Sequence, residues 1–108
     1  MADIEEGRRA LIARLVDGGG QATQEQRRAA FAGGGAPLGG ALAALVDKVA
    51  RRAHRVTDED VAAVRAAGLS QDQVFELVVC AAVGEVARQY DGARAALAAA
   101  VDEDKGQV

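Results

Sequence analysis

Aromatic residues are nearly absent from this 108-residue chain, which has two phenylalanines, one tyrosine and no tryptophan. Aromatic side chains bury the most apolar area per residue, so their scarcity limits the core that one copy can build. Half of the residues are hydrophobic, but alanine is the commonest of them, and each alanine removes little area from water. A single chain is therefore expected to be only marginally stable, and self-association is the obvious remedy.

Cysteine, histidine and proline each occur once. One cysteine cannot form an intramolecular disulfide, so an intracellular, reducing location is expected. One histidine with one cysteine cannot form a closed four-ligand metal site, so no metal is predicted. No cofactor is predicted either. The net charge of −3 argues against non-specific binding to nucleic acid or an anionic membrane. The N-terminal stretch is acidic, unlike a signal peptide, and no apolar run is long enough to span a membrane, so a cytoplasmic protein is predicted.

The stretch from Ser70 to Tyr90 organises the rest of the chain. Its residues 74–83 include one charged side chain, Glu76, and a helix that is apolar all round is usually buried. Ser70 can cap its start, with Gln73 as the capping-box partner. The sequence therefore predicts a central buried helix with other helices packed around it.

The remaining pattern predicts an all-α, compact, orthogonal or bundle-like domain of about six helices. Residues 1–36 form an N-terminal helical extension with glycine-rich loops, residues 37–101 the helical core, and residues 102–108 a polar tail. Thr23 and Thr57 are predicted N-caps, and Asp91 is predicted to cap a separate last helix. Besides the central helix, the predicted helices are residues 2–16, 24–32, 38–55, a fourth that opens after Thr57 and ends near Gly68, and 92–101.

Two further features admit a functional interpretation. Gly18–Gly20 would belong to a phosphate loop only after a strand and before Lys-Ser/Thr, and neither condition holds, so a plain turn is predicted. Lys48, Arg51, Arg52 and Arg55 form a basic stripe that could meet phosphates. Basic residues near a helix C-terminus are also favoured by the helix dipole, and this interpretation is preferred over a nucleic-acid accessory role.

Two segments resemble a known superfamily. One is residues 37–70, with a short helix that ends in Ala-Gly-Leu-Ser, and the other is residues 73–84, with Phe75-Glu76-Leu77 followed by an apolar helix. Together they resemble the carboxymuconolactone decarboxylase and alkylhydroperoxidase D-like superfamily over roughly residues 37–100. The resemblance implies an all-helical fold that commonly assembles as trimers or hexamers.

The redox residues of that superfamily are missing here. Its peroxidase-type members continue from the glutamate to a Cys-x-x-Cys pair and a histidine, with the glutamate helping to relay protons. When Phe75-Glu76-Leu77 is aligned with this pattern, Arg88 and Asp91 stand where the cysteines belong. Ala95 stands where the histidine belongs, so only Glu76 matches. Cys80 lies one turn after Glu76, too early to be either cysteine, and the usual redox activity is not expected.

Three side chains remain as candidates for chemistry. Cys80 is expected to be an inert buried thiol, with a lone reactive thiol as the alternative. Glu76 is either a partly solvated, arginine-paired carboxylate or a general acid or base in an apolar pocket. His54 could meet Glu76 if the basic helix packs across the central one.

Two functions follow as hypotheses. The first is a non-redox helical protein of the alkylhydroperoxidase D-like type that acts by assembling and by binding a partner or small ligand. The second is a small enzyme of the carboxymuconolactone decarboxylase type. In it Glu76 and His54 would be catalytic, and Arg52 or Arg88 would hold an anionic substrate.

Overall fold

The computed structural model describes residues 2–35 and 37–106, and this part of the chain is helical without strands. The all-α prediction is confirmed. The described residues form five α-helices and one 3₁₀ turn, not six helices. The elements are α1 (Ala2–Asp17), α2 (Gln24–Phe31), α3 (Gly40–Arg52), the 3₁₀ turn (Ala53–Arg55), α4 (Asp58–Ala66) and α5 (Gln71–Gly106).

The difference in helix number arises at Asp91-Gly92, where the predicted break does not occur. Helix α5 continues through both residues and through most of the predicted polar tail. A glycine inside a helix costs only about 1 kcal/mol, and the alanine-rich turns that follow it compensate for this cost. Asp91 binds Arg8 of α1 at 3.0 Å and does not act as a cap. Residue 36, at the predicted domain boundary, and residues 107–108 of the predicted tail lie outside the described residues.

The predicted helix starts are confirmed at three places. The hydroxyl of Thr23 accepts the backbone N–H of Gln26, and Thr57 does the same for Asp60. Ser70 accepts the backbone N–H of Gln73 at 3.1 Å, and the Gln73 side chain accepts the N–H of Ser70 in return. These reciprocal bonds satisfy donors that a helix start leaves free, so local sequence determines where α2, α4 and α5 begin.

The core forms where α2 and α3 pack against one face of α5. The close contact of α2 with α5 depends on Gly84, since a Cβ there would lie 1.9 Å from the backbone oxygen of Phe31. Helix α4 packs mainly on α3, and α1 runs antiparallel to α5. The fully buried large side chains are Leu45, Val46, Val64, Leu77 and Cys80.

The molecule is elongated, unlike the compact domain that the sequence predicts. Its extents are 61 × 28 × 22 Å and its radius of gyration is 16.8 Å, against about 13 Å for a compact chain of this length. Its accessible surface is 7148 Å², whereas a compact monomer of this mass exposes about 5,700 Å². None of the described helices has an apolar stretch long enough to cross a membrane.

The elongation comes from α5, whose halves differ. In the proximal half, residues 71–87, one face is buried in the core. In the distal half, residues 88–106, every position up to residue 104 is exposed. The central helix is thus buried on one side only in the single chain. Its other side carries apolar residues every third or fourth position, here called the α5 stripe: Phe75, Val79, Ala82, Val86, Tyr90, Ala93, Leu97 and Val101.

Candidate functional site

Glu76 lies in the second turn of α5 and holds the loop between α1 and α2. Its carboxylate accepts the backbone N–H of Gln21 at 2.8 Å and that of Ala22 at 2.7 Å. Gly20 lies so close that a Cβ there would be 2.9 Å from the carboxylate. Hydrogen bonds from backbone N–H groups to a carboxylate are among the stronger ones in proteins. Glu76 therefore has a structural role here, and its catalytic role stays a prediction.

A small cavity opens beside this carboxylate. It measures about 170 Å³, and its wall includes Arg27 of α2, which is only 6% exposed. Sequence reasoning missed Arg27, because nothing in the spacing of α2 distinguishes it from its exposed neighbour Arg28. The cavity lining is Arg14, Leu15, Gly19, Arg27, Phe75, Glu76 and Val79.

Cys80 lies one turn beyond Glu76 in the core. It is fully buried, and its Sγ lies 3.8 Å from the backbone oxygen of Leu15. Burial raises the pKa of the thiol, and the nearby charge of Arg27 opposes that shift in part. A buried thiol with a raised pKa is a poor nucleophile. The prediction of a buried cysteine is confirmed.

The other three predicted site residues lie elsewhere. His54 is exposed in the 3₁₀ turn that follows α3. Arg52 binds Asp47 of its own helix at 3.3 Å. In the part of the chain that the structure describes, Glu76 shares neither a hydrogen bond nor a cavity with His54, Arg52 or Arg88. The fold does not assemble the predicted catalytic and anion-holding set.

The side chain of Arg88 lies at the C-terminal end of α2. Its guanidinium donates to the backbone oxygen of Phe31 at 2.6 Å and binds Glu85 at 2.9 Å. The hydrogen bond from Arg88 to the Glu85 carboxylate lowers the pKa of Glu85. Arg51 donates to the oxygen of Gly33 nearby, at 3.0 Å. Both arginines thus occupy the negative end of the α2 dipole, where cations stabilise a helix.

The basic stripe of α3 is largely neutralised within the chain. Lys48 binds both oxygens of Asp60 on α4, at 2.9 and 3.0 Å. Arg51 and Arg52 share Asp47. These contacts favour the structural interpretation of the stripe over the phosphate-binding one.

A second, apolar cleft separates α1 from the middle of α5. Its volume is about 310 Å³, and it is lined almost wholly by apolar side chains. Ion pairs bridge its distal end, from Arg8 to Asp91 at 3.0 Å and from Glu5 to Arg94 at 2.9 Å. The open cleft means that α1 and this part of α5 are not closely packed. The exposed ion pairs that join them contribute little to stability. The apolar lining comprises Ile4, Leu11, Ile12, Val83, Val86, Ala87 and the ring of Tyr90.

Arg8 and Arg94 also lie over Tyr90, with their guanidinium carbons 5.3 and 5.8 Å from the ring centre. The ring is 46% exposed and belongs to the α5 stripe. Sequence reasoning predicted this helix as buried and therefore missed the stripe. The sequence contains the pattern that indicates the stripe, because apolar residues continue at helical spacing through Leu97 and Val101.

Comparison with known proteins adds no assignment, because no family model, curated protein or solved structure matches the chain.

Proposed function

We propose that this chain functions as a self-assembling, non-redox helical protein in which the α5 stripe pairs antiparallel with the α5 stripe of a second copy. We also propose that the chain belongs to the alkylhydroperoxidase D-like superfamily, whose members commonly assemble as trimers or hexamers. A two-fold contact of this kind would be one of the interfaces in a hexamer.

The single observation that carries the proposal is the exposed apolar stripe. Phe75, Val86 and Leu97 are 69%, 64% and 66% exposed. From Phe75 to Val101 the stripe extends over about 39 Å of helix. Monomeric soluble proteins rarely leave a continuous apolar patch of that extent open to water.

The amount of exposed surface fits a second copy as the occupant. The chain exposes about 1,500 Å² more than a compact monomer of its mass. A stable interface buries about 800 Å² on each partner. One interface along α5 would therefore cover about half of the excess, which leaves area for a second contact in a larger ring.

The spacing of the stripe is self-complementary. When two copies of α5 lie antiparallel and cross near residue 88, each large apolar residue faces another large one. Ala82 then faces Ala93, so the helices can approach closely there. The facing pairs are Phe75 with Val101, Val79 with Leu97, and Val86 with Tyr90. A two-fold dimer requires such a surface, since both copies present the same patch.

The first test is the mass of the native chain in solution. Light scattering or sedimentation should give a dimer or a multiple of it, such as a hexamer, and a trimer would contradict the two-fold pairing of α5. Leu97→Glu should lower the mass to that of one chain, because a buried unpaired charge is costly. Ala95→Glu is the matched control, since it adds the same charge on the opposite side of the distal half, and it should leave the mass unchanged. A native chain with the mass of one copy would refute the proposal.

The second test is the register. In the double variant Val79→Cys/Leu97→Cys, mild oxidation should give a covalent dimer. The two positions are about 27 Å apart along one helix, too far for a bond within a chain. The control Val79→Cys/Tyr90→Cys shifts one position by about 10 Å and should cross-link far less. Equal yields from both variants would contradict the antiparallel register.

A further inference from the structure

Arg27 is the one buried charged side chain among the described residues. Its Nη1 donates to the backbone oxygen of Leu15 at 3.4 Å, a long hydrogen bond, and its Nε has no acceptor in the described part of the chain. Carboxylates are usually within reach of a buried guanidinium, because an unpaired charge in the interior is costly. Here no carboxylate lies within ion-pair distance of Arg27 in the described structure.

The cavity wall contains one carboxylate, Glu76, which already accepts hydrogen bonds from the backbone. Both oxygens of Glu76 accept backbone N–H groups of the loop before α2. The exposed side chain of Arg14 lines the opposite, α1 side of the cavity. Two guanidinium groups and one carboxylate give the wall a net charge of +1. A single negative charge in the cavity would neutralise it.

The rest of the wall is apolar. Leu15, Phe75 and Val79 surround the space beside the charged groups. The cavity holds about 170 Å³, and a cavity of about 150 Å³ accommodates one benzene molecule. The space therefore suits a small organic molecule about the size of one ring, with one anionic group.

We infer that this cavity binds a small organic monocarboxylate. Its carboxylate pairs with the guanidinium groups of Arg27 and Arg14, and its apolar body lies against Leu15, Phe75 and Val79. All of these residues come from one chain, so the site exists whether or not the chain assembles. Phe75 and Val79 also belong to the α5 stripe, so the site borders the proposed interface.

The test uses benzoate as the probe and the Nε–H signal of Arg27 in a ¹⁵N NMR spectrum as the readout. Benzoate should shift this signal in a saturable manner, and benzyl alcohol, which has the same ring without the charge, should not. Arg27→Gln removes that signal, so its binding is measured by isothermal titration calorimetry, and it should be about tenfold weaker or more, as loss of one charge-assisted hydrogen bond implies. The full chain and its Leu97→Glu variant should both bind, which separates this site from the proposed assembly.

Several outcomes would overturn the inference. These are an unmoved Arg27 signal at millimolar benzoate, equal shifts with benzyl alcohol, and equal binding by inorganic phosphate. The last would mark a plain anion site without use of the apolar wall. If Arg27→Gln does not fold, Val79→Phe provides the second variant, because it fills the cavity and leaves Arg27 in place. This variant should abolish the benzoate shift, and an unchanged shift would contradict the location of the site.

Discussion

The two halves of α5 differ in composition and in surroundings, since the proximal half is rich in valine and the distal half in alanine. The proximal half is fixed from several directions, by the loop N–H groups on Glu76, by α2 at Gly84 and by α3 along its buried face. Beyond Arg88, which donates to the backbone oxygen of Phe31, the distal half contacts the N-terminal part of α1 through exposed ion pairs, and Tyr90 lines the open apolar cleft. The fold of the single chain is therefore determined by the proximal half. The distal half leaves its apolar residues exposed, and the proposed assembly would cover them.

This difference shows what helix propensity alone can and cannot do. Six alanines keep the backbone of the exposed distal half helical, so that α5 runs uninterrupted over 36 residues. Burial requires a neighbouring element that packs closely, and among the described residues only the proximal half has one. The consequences can be tested by small substitutions in each half, and the largest effect is expected where α2 touches α5.

The largest effect is expected for Gly84→Ala. A Cβ at this position would lie 1.9 Å from the backbone oxygen of Phe31, so α2 and α5 must separate. Overpacking of this kind costs about 3 kcal/mol, which exceeds the gain in helix propensity of about 1 kcal/mol. Urea denaturation at one fixed protein concentration measures the change. An unchanged or higher unfolding free energy would show that the two helices do not meet at Gly84.

A smaller loss is expected for Glu76→Gln. The amide can accept one of the two loop N–H groups but presents its NH₂ to the other. Because one hydrogen bond is retained and the loop is partly exposed, the expected loss lies at the low end of the range for charged acceptors, about 1.5 kcal/mol. The same denaturation experiment measures it, and hydrogen exchange at Gln21 and Ala22 should become faster. If stability and exchange stay unchanged, the carboxylate does not hold the loop, and its role as a general acid or base becomes the stronger interpretation.

The sequence was sufficient where the determining contacts are local. The N-caps of Thr23, Thr57 and Ser70 lie three residues from their partners, and all three were predicted. The hydrogen bonds of Glu76 reach Gln21 and Ala22, more than 50 residues away in the chain, so spacing could not reveal them. The burial of Arg27 has the same origin, since it depends on the packing of α1 and α5 over α2.

The continuity of α5 was missed for a different reason. Asp91-Gly92 resembles a helix start in sequence, because aspartate caps well and glycine tolerates many conformations. Asp91 is instead engaged by Arg8 from α1, a contact that sequence spacing does not predict. The local signal was present, and a contact between distant residues favours the uninterrupted helix.

The smallest effect, of opposite sign, is expected for Gly92→Ala in the distal half. A Cβ there meets no atom within 4 Å, and the position lies on the side of α5 away from the stripe. In an uninterrupted helix the substitution should raise the unfolding free energy by about 0.5–1 kcal/mol, through helix propensity alone. Helix content by circular dichroism should not fall. If Asp91 capped a separate helix in solution, position 92 would be its first residue, where alanine gains little over glycine. No stabilisation would therefore indicate a break between the two halves.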